Sequence, residues 1–269
     1  MLKNVSTACL CDPNALLATA RGYLPIACVT LDDAVHTHTG GWRKVTQLHR
    51  RLYRGKTFKF WLKGLCEPIY VTADHPLRVV QTVKAVDAEH PFAVRVPVWL
   101  HAQHLRVGDR LQCSVGLDSV IPFATDKLDV PEFLGKWLDE DGGCDNAHAT
   151  WKCTTLSMAF YLRDHFLVRQ ISGAIAKNGD FFNVTVRLAD VPWLSVVSEK
   201  CKAALQDADL VDAEKFPGPK LDPSGVWYYE LHRITRGFIH DETVYNVEVD
   251  QDHSYDIAGV INHNCCSED

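Results

Sequence analysis

The chain has 269 residues, of which 46% are hydrophobic and 23% charged, a composition typical of a globular protein with one large or two modest domains. Its formal net charge of -6 excludes a general electrostatic attraction to nucleic acid or to an anionic membrane. No apolar run approaches the roughly 20 residues that span a bilayer, and the first residues lack the apolar core of a signal peptide. The sequence therefore predicts a cytoplasmic protein that does not contact a membrane.

Ten cysteines are many for this length, and in a reducing compartment disulfides are not expected. Their spacing has no repeated Cys-x-x-Cys and no paired Cys and His pattern of a zinc site. Cys9 and Cys11 could form half of a metal site, but the sequence lacks the other half. Most of these thiols are expected to be small buried side chains, and no cofactor is expected.

In chain order, residues 1–27 predict a loose helix beginning at Pro13, too short to bury a core alone. Short β-branched and aromatic runs between turn signals predict an all-β region over residues 28–130. Residues 131–222 predict a separate α/β insertion, and β patterns return over residues 223–264. A β domain interrupted by an insertion is therefore expected. The predicted helices of the insertion span 132–143, 157–177 and 192–205, and its predicted strands span 148–155 and 180–187.

The end of the chain carries a cluster of reactive side chains, His263-Asn264-Cys265. An Asn side-chain amide can attack its own backbone carbonyl, and a neighbouring His can protonate the departing amine. The Cys that follows supplies a thiol nucleophile. With a second reactive cysteine upstream, such a tail could cut and rejoin the chain.

Cys28 is the candidate for this upstream nucleophile, because it opens the β region directly after the amino-terminal segment. Rearrangement of the Ala27–Cys28 peptide to a thioester needs a group that polarises the bond and protonates its nitrogen. Thr72 and His75 supply a hydroxyl and an imidazole at a predicted strand–turn boundary. Alone, Cys28 would be interpreted as a buried core thiol and His75 as a turn histidine; the ordered motifs favour the reactive interpretation.

Together these motifs resemble an intein, a protein-splicing element of the Hint superfamily. The resemblance implies a mainly β, horseshoe-like Hint fold over residues 28–264, divided into 28–130 and 223–264 by the insertion. Residues 1–27 and 265–269 would be flanking extein fragments, and the protein would be a monomer that acts on these flanks without a cofactor. The matching segments are Cys28–Asp33, Val71–Pro76, Trp99–Asp109, Val244–Tyr255 and Gly259–Cys265.

At the amino-terminal junction, the resemblance implies an N-to-S acyl shift. Cys28 would attack the Ala27 carbonyl with assistance from Thr72 and His75. The Cys265 thiol would then take over the acyl group and form a branched ester.

At the carboxy-terminal junction, the resemblance implies that Asn264 cyclises to a succinimide, assisted by His253 and His263, and frees the intervening segment. The Cys265 amine would then capture the acyl group as an ordinary peptide bond. Asn264→Ala is expected to block release of the downstream piece.

Asn246 departs from the family pattern, because many inteins carry an Asp there that coordinates the first two steps. An Asn side chain cannot take or give a proton near pH 7. The sequence therefore predicts slower coupling of the two junctions, or compensation by Asp250 or Asp252. On this interpretation Asn246→Asp should accelerate splicing.

The insertion contains a segment, Leu134–Gly142, that resembles a degenerate LAGLIDADG motif, and its element order resembles half of that homing-endonuclease fold. In that family a carboxylate near the helix end holds Mg²⁺ for strand cleavage, so Asp139 and Asp141 are candidate ligands, although solvated helix-end charges are the commoner role. No second acidic helix follows, and residues 131–220 carry 10 Lys and Arg against 13 Asp and Glu. A DNA-binding face needs the reverse balance, so an eroded remnant without DNA binding is expected.

Three rival functions remain open. A Hint domain that only cleaves itself, or that transfers its upstream acyl group to another nucleophile, would not need both Asn264 and the following thiol. A DNA endonuclease carried on a β domain would need a second acidic helix, which the sequence lacks. A cysteine hydrolase would require a substrate pocket and turnover of an added substrate.

Overall fold

The structure is a computed structural model that describes residues 8–84, 93–114, 129–205 and 215–264. It divides into two compact units, one formed by residues 1–62, 67–114 and 221–269 and the other by 63–66 and 115–220. The second unit interrupts the first in sequence.

The elements follow in chain order. The first unit contributes strands β1 (Leu16–Thr19), β2 (Gly22–Pro25), β3 (Ala34–His36), β4 (Trp42–Leu62), β5 (Ile69–Thr72), β6 (Pro76–Lys84), β7 (Ala93–His101) and β8 (Arg110–Gln112), with 3-10 turns at Ile26–Cys28 and Ala102–His104. The second unit contributes α1 (Val130–Asp141), β9 (Gly143–Cys144), β10 (His148–Cys153), α2 (Leu156–Val168), β11 (Gly173–Asn178), β12 (Phe181–Arg187), a 3-10 turn at Leu188–Asp190, α3 (Leu194–Val197) and α4 (Glu199–Ala204). The chain returns through β13 (Lys220–Leu221) to β14 (Trp227–Val249), β15 (Ser254–Ile257) and β16 (Val260–His263).

The frame of the first unit is the antiparallel pair β4 and β14, which stay paired from Leu231 opposite Leu62 to Val249 opposite Val45. The pairing has a register shift between Ile239 and Glu242, where the backbone of Asp241 takes a φ of +55°. A bulge of this kind bends and twists a strand without ending it.

The predicted helix from Pro13 is wrong: the segment forms the hairpin β1–β2, turned by Gly22 with a φ of +115°. Leu17 pairs with Ile257, and every residue of β1 is buried. A short run buried on both faces has no alternation, so its pattern does not separate strand from helix. Residues 16–19 and 22–25 therefore form strands of the β sheet in the first unit.

The second unit has the element order α-β-β-α-β-β followed by two short helices, with a four-stranded sheet in the order β11-β12-β10-β9. The helix predicted over 157–177 ends at Val168, since the chain turns at Gln170, with a φ of +60°, into β11. The helix predicted over 192–205 is divided at Ser198, which caps α4 through the Cys201 N–H. None of the helices in the described ranges is long and apolar enough to cross a membrane.

Gly135→Ala is expected to lower the free energy of unfolding of the second unit by about 1–3 kcal/mol, the usual cost of overpacking. A Cβ at this position would lie 2.3 Å from the Val197 carbonyl oxygen, so α1 and α3 would have to separate. Gly143→Ala is the matched control, because its Cβ would meet nothing within 4 Å. Urea unfolding of the two variants measures the difference, and equal midpoints would contradict this packing argument.

Candidate active site

Cys9 is fixed between β5 and β14 by backbone bonds on both sides. The neighbouring Leu10 exchanges N–H to O bonds with Tyr245 of β14, at 2.8 and 2.9 Å. The Cys9 N–H donates to Thr72 Oγ1 at 2.9 Å, and the Cys9 carbonyl accepts from the Thr72 N–H at 3.0 Å. The thiol is fully buried. The Ala8–Cys9 peptide is thereby held against the Thr72 side chain at the end of β5.

Asn246 contacts the same peptide from the other strand, since its Nδ2 donates to the Ala8 carbonyl oxygen at 2.6 Å. The amide orientation is fixed by two donors on Oδ1: the Tyr255 hydroxyl at 2.7 Å and the Val247 N–H at 2.7 Å. An amide that receives two donors on its oxygen must present its nitrogen to Ala8. Thr72 and Asn246 therefore contact opposite ends of one peptide group, its N–H and its carbonyl.

His75 lies fully buried just beyond Thr72, and burial lowers its pKa to about 4, so the ring is neutral at pH 7. Its Nε2 is 3.1 Å from Asn262 Oδ1, whose own Nδ2 donates to the Val260 carbonyl. Because Oδ1 can only accept, Nε2 carries the proton. The Nδ1 atom then holds a lone pair, and it has no hydrogen-bond partner among the described residues. His75 is thus placed as a proton acceptor.

Cys28 does not take the place that the sequence predicts for it. It is exposed at the end of a 3-10 turn. The Ala27 N–H donates to the Pro13 carbonyl, and the Ala27 carbonyl accepts from the Arg50 guanidinium. The contacts expected between Cys28 and Thr72 are made by Cys9, because the hairpin β1–β2 carries the chain away from β5 before residue 28.

Asn264 follows β16 and is buried, with its N–H donating to the His253 carbonyl at 2.9 Å. Its side-chain amide fits best with Nδ2 donating to the same carbonyl at 3.1 Å and Oδ1 accepting from the Val249 N–H at 3.0 Å. The opposite orientation gives longer contacts of 3.4 and 3.5 Å. His253 is exposed and has a φ of +48°, which turns its carbonyl toward the end of the chain.

His263 Nδ1 donates to the Asn264 carbonyl oxygen at 2.8 Å. Burial lowers the pKa of His263, so the neutral ring carries this proton on Nδ1. Trp99 packs edge-on against the imidazole, with the ring centroids 4.8 Å apart, and keeps it in this position. The carbonyl of Asn264 is therefore polarised by a fixed donor.

Strand β14 contacts both reactive segments, because Asn246 donates to the Ala8 carbonyl and the Val249 N–H donates to the Asn264 side chain. Three residues of β-strand span about 10 Å. A second connection runs from His75 through Asn262 into β16, which leads directly to Asn264. Cys265 itself lies outside the described residues.

Two of the other predicted carboxylates, Asp252 and Asp139, have structural partners. Asp252, offered as a substitute for Asn246, accepts from Thr37 and Arg43 and is committed to that loop. Asp139 accepts from Ser198 Oγ at 2.6 Å and from the first N–H groups of α4, so it is a helix cap. Asp141 is exposed at the end of α1. Within the described ranges, no three His, Cys, Asp or Glu side chains are grouped as a metal site.

Sequence reasoning missed Cys9, Asn262 and Tyr255. For Cys9 a signal was present, since a Cys followed by a short apolar run and a Gly turn can open a β domain as well as Cys28 can. For Asn262 and Tyr255 no local signal exists, because a buried amide or hydroxyl acts only through the partner that the fold supplies.

No family model matches the chain. A stretch of 78 residues is 31% identical to an uncharacterised protein of Methanocaldococcus jannaschii and covers 29% of this chain and 10% of that protein. The match thus spans about a tenth of the archaeal protein.

Among solved structures, the chain is similar to an Ssp DnaB mini-intein variant, M86, with a TM-score of 0.44 and 11% identity over 100% of this chain and 99% of that one. It is similar to the gp41-1 intein, with a TM-score of 0.39 and 10% identity over 96% and 100% of the two chains. It is also similar to a bacterial intein-like domain from Clostridium thermocellum, with a TM-score of 0.41 and 14% identity over 96% and 99%.

Proposed function

We propose that this chain is a self-splicing element of the intein type whose excised segment runs from Cys9 to Asn264. The observation that carries this proposal is the Ala8–Cys9 peptide, whose N–H is bonded to Thr72 and whose carbonyl is bonded to Asn246. A buried peptide with a thiol beside it and a donor on its carbonyl is arranged for acyl transfer. The upstream junction is therefore Ala8–Cys9 in place of Ala27–Cys28.

In the first step the Cys9 sulfur attacks the Ala8 carbonyl carbon. Asn246 Nδ2 stabilises the negative charge that develops on the carbonyl oxygen, as a preorganised donor does in an oxyanion hole. His75 Nδ1 accepts the thiol proton and returns it to the Cys9 nitrogen as the peptide bond breaks. Thr72 orients that nitrogen.

In the later steps the Cys265 thiol takes the acyl group, and Asn264 Nδ2 attacks its own carbonyl carbon. His263 polarises that carbonyl through Nδ1. The bond from the Val249 N–H to Asn264 Oδ1 keeps the amide next to its target. No cofactor or energy source is needed, because each step exchanges one acyl bond for another. His253 helps to position Asn264 through its backbone carbonyl, which accepts from the Asn264 N–H.

For the second unit, the proposal is a remnant of half a LAGLIDADG endonuclease. The α-β-β-α-β-β-α order and the sheet order β11-β12-β10-β9 support it. Asp139 is used as a helix cap, and the acidic balance of the segment disfavours binding to DNA. Nuclease activity is not part of the proposed function.

Mass spectrometry of the freshly expressed chain under reducing conditions tests the proposal. Splicing should release residues 9–264 ending in a succinimide or Asn, together with a peptide of residues 1–8 joined to 265–269. A product beginning at Cys28 would show that the upstream junction is Ala27–Cys28. Separate terminal fragments would show self-cleavage without ligation, and a persistent intact chain would contradict the proposed function.

A further inference from the structure

Arg51, which has no place in the mechanism above, contacts the atom that reacts first. It lies on β4 opposite Val244, and its Nη2 donates to the Cys9 sulfur at 3.1 Å. Its Nε is buried without a hydrogen-bond partner among the described residues. The positively charged guanidinium of Arg51 therefore lies in direct contact with the Cys9 thiol.

The surroundings of Cys9 make this single cation effective. The thiol packs in an apolar cluster with Ala8, Cys11, Ile239 and Val244. In such a low-dielectric site, attraction between a guanidinium and a sulfur anion is much stronger than in water. The other titratable and charged groups facing this cluster are Cys11 and Asp12 on the same segment, Tyr53 and Lys59 on β4, Tyr70 and Asp74 at β5, and Glu242 on β14.

Cys11 shows what this site does to a thiol in the same cluster. Burial is the largest cause, and the negative charge of Glu242 the next, of a pKa of Cys11 raised to about 12. This neighbouring thiol therefore stays protonated. Cys9 is buried as deeply and needs a compensating positive charge if it is to ionise. Arg51 supplies that charge.

We propose that Arg51 is a further catalytic residue of the first acyl shift: its guanidinium holds the Cys9 sulfur as the thiolate that attacks the Ala8 carbonyl. This inference rests on the proposed function. In the step, the Cys9 Sγ to Ala8 carbonyl carbon bond forms and the Ala8–Cys9 carbon–nitrogen bond breaks. The thiol proton ends on the Cys9 amine, so nothing is oxidised and no co-reactant is consumed.

The test measures hydroxylamine-induced cleavage at Ala8–Cys9 in the full chain carrying Asn264→Ala and Cys265→Ala, which stop the later steps. Arg51→Met should slow this cleavage about 10- to 100-fold at pH 7, the loss expected for one charge-assisted hydrogen bond. The difference in cleavage rate between Arg51→Met and the parent should shrink as the pH rises, because hydroxide then ionises the thiol without help from the guanidinium. Arg51→Lys, which keeps a cation, should fall between parent and Arg51→Met. Arg54→Met, an exposed position on the same strand, should cleave like the parent.

Parent-like rates in Arg51→Met, or a loss that is the same at every pH and equally large in Arg51→Lys, would overturn the role of Arg51. If Arg51→Met does not fold, the pH profile of Arg51→Lys decides alone: a curve shifted to higher pH supports the proposal, and an unshifted curve overturns it. Failure of the parent chain itself to cleave at Ala8–Cys9 would instead refute the proposed function.

Discussion

Cys9→Ala is expected to abolish hydroxylamine-induced cleavage at the amino-terminal junction, whereas Cys28→Ala should cleave at the parent rate. Cys9 is the thiol whose own peptide is bonded to Thr72 and Asn246, and removal of a nucleophile leaves no acyl shift to trap. Cys28 is exposed, and its preceding carbonyl is engaged by Arg50. The measurement is the mass of the released peptide in the chain with Asn264→Ala and Cys265→Ala.

Cys11→Ala provides the matched control, since Cys11 is buried two residues away in the same apolar cluster. It removes a thiol of similar burial without touching the junction, so cleavage should continue. Loss of cleavage in Cys28→Ala, with cleavage retained in Cys9→Ala, would restore the junction that the sequence suggests.

The candidate site residues that the sequence predicts are those whose spacing is short and whose chemistry is visible locally. Thr72 and His75 lie at one strand end, and His263 and Asn264 are adjacent, so the order of the motifs is enough to indicate them. In the structure Thr72 Oγ1 accepts from the Cys9 N–H, and His263 Nδ1 donates to the Asn264 carbonyl oxygen. Their selection did not depend on knowing how the β domain begins.

The sequence predicts Cys28 as the upstream nucleophile, whereas the proposed function assigns this role to Cys9. The difference arises because strand β1 is buried on both faces, so that its pattern is also compatible with a helix. Without β1 and β2 in the predicted β domain, Cys28 is the first cysteine of that domain. The contact between Cys9 and Thr72 joins residues 63 positions apart, and Asn262 meets His75 across 187. No local pattern encodes pairs at such separations; the fold creates them.

Asn246→Asp is expected to slow cleavage at Ala8–Cys9 at neutral pH, by about 10²- to 10³-fold if the whole oxyanion contact is lost. The sequence alone predicts that this substitution accelerates splicing. In the structure, Oδ1 already receives the Tyr255 hydroxyl and the Val247 N–H, so the second oxygen of an Asp would face the Ala8 carbonyl at the position where Asn246 now donates at 2.6 Å. An ionised carboxylate there would repel the developing oxyanion.

The pH dependence separates this mechanism from a loss of packing. A protonated carboxyl group at position 246 can donate to Ala8, so the rate of Asn246→Asp relative to the parent should rise as the pH falls. Asn246→Ala has no donor at any pH, and its relative rate should stay low and flat. The cleavage rate of Tyr255→Phe should lie between those of the parent and of Asn246→Ala, because the Asn246 amide keeps one of the two donors that fix its orientation. An Asn246→Asp chain that cleaves faster than the parent at pH 7 would show that position 246 works as a proton carrier, and the donor role assigned to Asn246 would be wrong.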